Sequence, residues 1–170
     1  VYFTIRPARP ADVHGILTAD IAAGRTSPAD AERFAAGISA AVADPARLVV
    51  VAEAHDDANA EGGTGVVGWA KTHHWDYADG PAPAGHYLGG VTVRPEFRRK
   101  GLAAQLTEAR LHWMWERVEF AWYVVNAHNE ASLALHRRWG FREVARGARF
   151  HTVAFDGGEG VLLSAARPQA

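Results

Sequence analysis

The sequence predicts a mixed α/β domain of the α+β type. Strand-like and helix-like segments are interspersed along the chain without a regular βαβ alternation. The 170 residues, 48% of them hydrophobic and 22% charged, suit one soluble domain with a sizeable core. No internal repeat or low-complexity stretch divides them, so a single domain is expected over 1–170.

YFTIRP (2–7) alternates and predicts the first strand. Pro10 then opens a helix with Val13, Ile16, Leu17 and Ile21 inward, and Gly24 ends it. Ser27 and Pro28 read as an N-cap and first helical position, and the helix runs to about Val42 with Phe34, Ile38 and Val42 inward. RLVVVAEA (47–54) is a buried strand. HDDANAEGG (55–63) is a polar hairpin loop, and TGVVGWAKTHHW (64–75) a long strand. After the Pro- and Gly-rich loop 76–85, HYLGGVTVRP (86–95) is the next strand. A helix is expected from about Arg99 to Arg117, with Leu102, Leu106, Ala109 and Trp113 at helical spacing. VEFAWYVVN (118–126) is a strand, and 130–139 a short helix with Gly140 at its C-cap. FREVARG, FHTVAF and GVLLSA read as the last strands, with a hairpin at Asp156-Gly157-Gly158.

Composition removes several function classes. The formal net charge of -1 gives no global attraction to nucleic acid or anionic lipid, so an anion site must be local. With no cysteine there is no disulfide, thiolate metal site or thiol nucleophile. A cytoplasmic location is expected, a compartment in which disulfides are dispensable. No apolar run approaches a membrane span, and VYFTIRPA has neither the basic start nor the apolar stretch of a signal peptide. Arg greatly outnumbers Lys, and Ala, Gly and Pro are frequent, as the codon usage of a GC-rich bacterial-type genome would give. The nine histidines show no H-E-x-x-H or other paired ligand spacing, so no metal is expected.

The segment VTVRPEFRRKGLAA (91–104) carries the strongest local signal. Arg98, Arg99 and Lys100 stand where a helix begins, although the helix dipole disfavours cations there. Phe97, Arg98 and Arg99 also lack a side-chain acceptor for the free amides of the first turn. A bound phosphate would supply the acceptor and make the cations favourable, with Gly101 and the small Ala103 admitting it to the backbone. The segment is neither a Walker loop nor a dinucleotide fingerprint.

Arg98-x-x-Gly101-x-Ala103 after a V-x-V-x-P strand resembles the pyrophosphate-binding motif Q/R-x-x-G-x-G/A of the GCN5-related N-acetyltransferase (GNAT) family. VNAHNEASLALHRRWGF (125–141) is similar to that family's second signature at Asn126, Asn129, Ser132, Leu135, Gly140 and Phe141. His136 replaces the expected tyrosine. The resemblance implies a mostly antiparallel sheet of six or seven strands with about four helices, splayed between the strands at 86–94 and 118–126. It places acetyl-CoA in the splay as co-substrate. The pantetheine arm would lie along Val91, Thr92 and Val93. The pyrophosphate would lie over the amides of Arg98, Arg99, Lys100, Gly101, Leu102, Ala103 and Ala104. Asn129, Ser132 and His136 would flank the cofactor, with Arg137 or Arg138 in reach of the 3′-phosphate.

The implied reaction is direct acetyl transfer to a neutral amine, with a backbone N–H of the 86–93 strand as oxyanion donor. His136, at the family's tyrosine position, is the candidate general acid for the leaving thiolate. The strand glutamate that serves many family members as base is absent, with Gly89 and Gly90 in its neighbourhood. His86, His74, Asp76 and His73 are the substitutes near in the chain, and adjacent His73 and His74 must face opposite ways. Trp75, Tyr77 and Tyr87 are candidates to enclose the acceptor, with Asp76 and Asp79 attracting an ammonium. Arg146 and Arg149 would instead favour an acidic acceptor. A small-molecule amine is the first reading. A protein or peptide acceptor and a non-catalytic acyl-CoA sensor are the alternatives. Neither nucleic acid nor membrane is an expected partner, and the last strands could pair in a homodimer.

Overall fold

The computed structural model describes residues 1–56, 63–155 and 157–169, so the 55–63 hairpin loop lies mostly outside the described residues, as does Asp156. In chain order the elements are β1 (Tyr2–Pro7), α1 (Val13–Ala22), α2 (Ala31–Ala43), β2 (Val49–His55), β3 (Gly63–Trp75) and β4 (Gly85–Val93). They continue with α3 (Leu102–Trp115), β5 (Phe120–Asn126), α4 (Glu130–His136), β6 (Arg142–Gly147), β7 (Arg149–Phe150), β8 (Val153–Ala154) and β9 (Gly160–Ala166). Seven strands form one sheet in the order β1-β2-β3-β4-β5-β9-β6, and β7 pairs with β8. The expected sheet of six or seven strands with about four helices is therefore present. β1 with β2, β2 with β3, β5 with β9 and β6 with β9 pair antiparallel, and β4 with β5 pairs parallel.

The chain divides into two compact units. The first is Val1–Thr72 with Gly90–Arg110. Its β1 and β2 pair from Tyr2↔His55 to Pro7↔Val50, and β2 pairs on its other side with β3. Pro10 opens a 3-10 turn, Pro10–Asp12, ahead of α1, and the Arg9 N–H donates to Asp12 Oδ2 at 2.7 Å. Arg6 grips the same carboxylate with two N–H groups and also donates to Glu53. Ser27 does not cap the following turn. Its hydroxyl donates to Asp30 Oδ2 instead. One apolar group joins Ile16, Ala19, Ile38, Val49, Val51 and Trp69; another joins Val50, Ala52, Val67, Leu102 and Leu106. Arg110 of α3 is 0% exposed: it donates to the carbonyls of Leu106 and Lys71 and to the Thr107 hydroxyl.

The second unit is His73–Gly89 with Leu111–Ala170. Here β4 and β5 run parallel through the pairs Tyr87↔Trp122 and Leu88↔Tyr123. β9 lies between β5 and β6, paired with β5 over its whole length, from Phe120↔Ala166 to Asn126↔Gly160. The expected last hairpin is thus replaced by long-range insertion of β9. FHTVAF is likewise not one strand, because β7 and β8 are separated by a turn at His151 and Thr152. Gly140 takes φ 81 after α4 and the 3-10 turn Arg137–Trp139, as its C-cap position requires.

Candidate functional site

In the first unit, Val91, Val93 and Phe97 pack with the apolar group that holds Leu102 and Leu106 of α3. Strand and helix are therefore fixed by a shared core, and the segment between them is presented to solvent. Arg94 N–H donates to the Val67 carbonyl at 2.8 Å, and the 3-10 turn Pro95–Phe97 follows. Arg98, Arg99, Lys100 and Gly101 are all exposed. Arg99 has φ 62 and Gly101 φ 78. The left-handed backbone costs an arginine about 1–2 kcal/mol, whereas glycine adopts it freely. A Cβ on Gly101 would meet only Gln105 Nε2, at 3.9 Å, so the glycine is needed for its dihedral and not for space.

The left-handed Arg99 also explains why α3 starts at Leu102 and not near 99 as periodicity suggested. The first intrahelical bond runs from Gln105 N–H to the Gly101 carbonyl, at 3.1 Å. Among the described residues, no backbone amide from Arg99 through Ala104 donates within the chain, and no carboxylate pairs with Arg98, Arg99 or Lys100. Six successive free amides lie beside three cations that no carboxylate engages, with Arg98 turning its Nε–H onto the Val93 carbonyl at 3.3 Å; such a cradle could hold an anion with several oxygens. Gly90 of β4 is exposed, with open space where its Cβ would stand.

In the second unit, Asn129 caps α4: its Oδ1 accepts from Ser132 N–H at 3.1 Å. Asn126 Oδ1 accepts from His128 N–H at 2.9 Å. Ser132 Oγ bonds the Tyr123 hydroxyl. His136 is 3% exposed, stacked on Tyr123 with centroids 4.0 Å apart, and edged by Trp139 and Phe141. Its Nδ1–H donates to the Ser132 carbonyl at 2.7 Å. The residue expected to stand ready as a proton donor is thus built into an aromatic core.

Trp75, Tyr77 and Tyr87 do come together, around a residue the sequence reading did not single out. His151 stacks on Trp75 at 4.6 Å and 1°, and meets Tyr77 and Tyr87 edge-on at 5.0 and 5.4 Å. Its N–H donates to Asp79 Oδ2 at 2.8 Å, and its Nε2–H donates to the Pro83 carbonyl at 3.3 Å. The Tyr87 hydroxyl donates to that same carbonyl at 2.6 Å, and burial pushes its pKa above the usual tyrosine range. His151 is 5% exposed, has φ 53, and its Nδ1 is buried without a hydrogen-bond partner. A non-glycine residue held left-handed costs about 1–3 kcal/mol, and such strain gathers at functional sites. No glycine or asparagine marks this position, which hid it from sequence reasoning.

His74 and His86 form a separate pair, with centroids 4.6 Å apart, and Trp113 stands edge-on to His86 at 5.4 Å. Burial lowers the His86 pKa, and His74 and Arg117 add to the effect. His73 tilts against Trp75 on the other face, as alternation requires. Asp76 is exposed. Arg146 is engaged by Glu143 and Glu159, which spends the cation that was to favour an acidic acceptor. Among the described residues, no group of three or more His, Cys, Asp or Glu could hold a metal ion, and no helix is long and apolar enough to cross a membrane.

The sequence model of the acetyltransferase (GNAT) family matches residues 16–141. No curated protein matches the chain. Among solved structures, the ribosomal-protein-alanine N-acetyltransferase from Brucella melitensis is 22% identical, with TM-score 0.71 over 96% of this chain and 99% of that one. The phosphinothricin acetyltransferase from Sinorhizobium meliloti, in complex with AcCoA, is 18% identical, with TM-score 0.69 over 98% of this chain and 89% of that one. At these identities the likeness establishes a shared fold, and one neighbour is named for a protein acceptor while the other is named for a small molecule.

Proposed function

From the fact that this chain belongs to the GNAT family and is an acetyl-CoA-dependent acetyltransferase, we propose that it moves acetyl to the primary amine of a small molecule. The observation that carries the donor half is the segment 98–104, with its free amides, its cations without carboxylate partners and its left-handed Arg99 and Gly101. These groups fit a pyrophosphate, and Val91, Thr92 and Val93 would align the pantetheine arm. Once the amine is neutral, its lone pair attacks the thioester carbonyl. A β4 backbone N–H stabilises the oxyanion, and the C–S bond breaks to release CoA. The acceptor half is supported by the aromatic group at Trp75, Tyr77 and Tyr87, which suits a compact amine with an apolar body.

The deep packing of His136 supports reading it as part of the framework of α4 and not as the acid. Phenylalanine at 136 preserves the stack on Tyr123 and loses the hydrogen bond to the Ser132 carbonyl, a bond worth about 1 kcal/mol of stability. We expect His136→Phe to keep kcat within about threefold, whereas losing a general acid costs roughly 100-fold or more. Steady-state kinetics of the purified variant decide between the two.

The function itself is tested by thermal melting with acetyl-CoA and with ATP as a phosphate control, followed by CoA-release assays on small amines and on peptides. Donor at about 100 times its Kd adds roughly 2.7 kcal/mol, a shift of several degrees. A shift with acetyl-CoA alone and release with a small amine are the expected results. Release only with peptides would move the acceptor to the protein class. Donor binding without release from any amine would favour the sensor reading.

A further inference from the structure

We propose that Lys71 is a self-acetylation site: its ε-amine takes an acetyl group from the acetyl-CoA that the same chain binds at 91–104. This rests on the acetyltransferase reading above, and every group it uses lies in the first unit. Lys71 and Lys100 are the lysines of the chain. Lys100 is exposed in the loop ahead of α3. Lys71 is half-buried on β3, with its backbone fixed on both sides. Its carbonyl accepts from Arg110 Nη1 at 2.9 Å, and the residue pairs with Val49 of β2. The next residue, Thr72, donates its N–H to the Leu48 carbonyl at 2.8 Å.

Lys71 shares a face of β3 with Trp69, and its Nζ lies 6.0 Å from the Trp69 ring centroid. Buried Val49 flanks it on the β2 side. The β4 side is open. Arg94 N–H donates to the Val67 carbonyl at 2.8 Å, and a Cβ on Gly68 would meet the Thr92 carbonyl and the Val93 side chain. The two strands thus pass antiparallel, with Val67 opposite Arg94 and Gly68 opposite Val93, and the same count brings Lys71 opposite Gly90. Gly90 is exposed and has open space where a side chain would stand. Among the described residues, no carboxylate pairs with the Lys71 ammonium and no acceptor takes a hydrogen bond from it. Burial lowers its pKa, Arg47 adds to the effect, and Asp20 of α1 opposes it. Arg47 is itself held by Asp44, at 2.9 Å. The amine is therefore neutral for more of the time than that of a solvated lysine.

Donor and amine then meet. With the pyrophosphate over 98–104 and the pantetheine arm running back along Val93, Thr92 and Val91, the thioester comes level with Gly90. Residues directly opposite on antiparallel strands have Cβ positions about 5 Å apart, within the span of a lysine side chain. Lys71 first gives its extra proton to solvent. The Nζ lone pair attacks the thioester carbonyl, the N–C bond forms and the C–S bond breaks. The nitrogen gives up a second proton and the CoA thiolate takes one up, so the products are acetylated Lys71 and CoA. The new amide fills the open space at Gly90 and removes the positive charge that stood near Arg47.

The test is peptide mapping by mass spectrometry after the purified chain is incubated with acetyl-CoA and no acceptor. Proximity should acetylate Lys71 at least about 100-fold faster than Lys100. The chain unfolded in urea should show no such preference. Because the neutral amine reacts and burial lowers its pKa, the rate should rise with pH and level off below the ordinary lysine range. The rate should not change when the protein is diluted. At acetyl-CoA below its Kd, Gly101→Val should slow the mark in proportion to its weaker donor binding. Acceptor-free CoA release should stop once Lys71 is filled, and should be lost in Lys71→Arg while the acetyl-CoA melting shift remains. Label spread equally over both lysines overturns the proposal. So does a rate that falls on dilution, or one unchanged in Gly101→Val although its Kd has risen. A chain that shows the melting shift and leaves Lys71 bare overturns this proposal alone. A chain with no melting shift defeats the transferase reading first, so the two failures are distinguishable.

Discussion

Valine at position 101 should weaken acetyl-CoA binding by about 10- to 100-fold while leaving the fold intact. The backbone there sits at φ 78, where a β-branched residue is a genuine outlier. Holding it there costs about 1–3 kcal/mol. The loop is exposed and a Cβ meets nothing closer than 3.9 Å, so the segment escapes by rearranging and does not clash. Rearrangement misdirects the amides from Arg99 to Ala104, which are the groups proposed to bind the pyrophosphate. Gly101→Ala should be milder in the same direction. Calorimetric titration with acetyl-CoA, beside a melting curve of the free protein, separates the two effects. An unchanged Kd in a folded Gly101→Val protein would detach the cradle from donor binding.

The largest stability effect is expected at Arg110. Methionine there keeps much of the volume and removes the donors to the Leu106 and Lys71 carbonyls and the Thr107 hydroxyl. The Leu106 carbonyl and the Thr107 hydroxyl keep partners within the helix, so the loss falls chiefly on the Lys71 carbonyl and on the space the guanidinium filled; an unmet buried acceptor costs about 1–3 kcal/mol, partly offset because no charge is then buried. We expect Arg110→Met to lose about 2–4 kcal/mol, a fall in Tm of roughly 4–16 °C for a domain of this size. Lysine should not rescue it, because one ammonium cannot reproduce the planar guanidinium fork. A Tm within about 2 °C of the wild type would show the arginine to be dispensable.

Arg110 also shows where sequence reasoning stops. On a helix of this composition an arginine reads as solvent-facing, and only the tertiary fold reveals that it is fully covered. The two motif segments were legible because each depends on residue types at short fixed spacing: cations beside one glycine, and asparagines ahead of a short helix. The start of α3 was misplaced because a left-handed arginine has no signature in periodicity. His151 was invisible for a different reason. Its partners Asp79 and Pro83 lie 72 and 68 positions away in sequence. The aromatics Trp75, Tyr77 and Tyr87 could be picked out by type, but not the residue that gathers them. The partners of the last strand were not legible, because Asp-Gly-Gly is only a local hairpin signal, while β9 answers to partners on β5 and β6.

The insertion of β9 sets the order of events on the ribosome. Phe120 of β5 waits for Ala166, its partner at the far end of β9. At about 5–20 residues per second, synthesis of the intervening stretch takes roughly 2–9 s. Throughout that interval β5 has an open edge on the β9 side, and β6 has no strand to join. Nascent chains crowded on one message are then exposed to strand exchange with their neighbours, while the first two strands and helices are already out and able to pair. Slow codons ahead of residue 160 would lengthen that exposure, and a chaperone that shields strand edges would matter most during it.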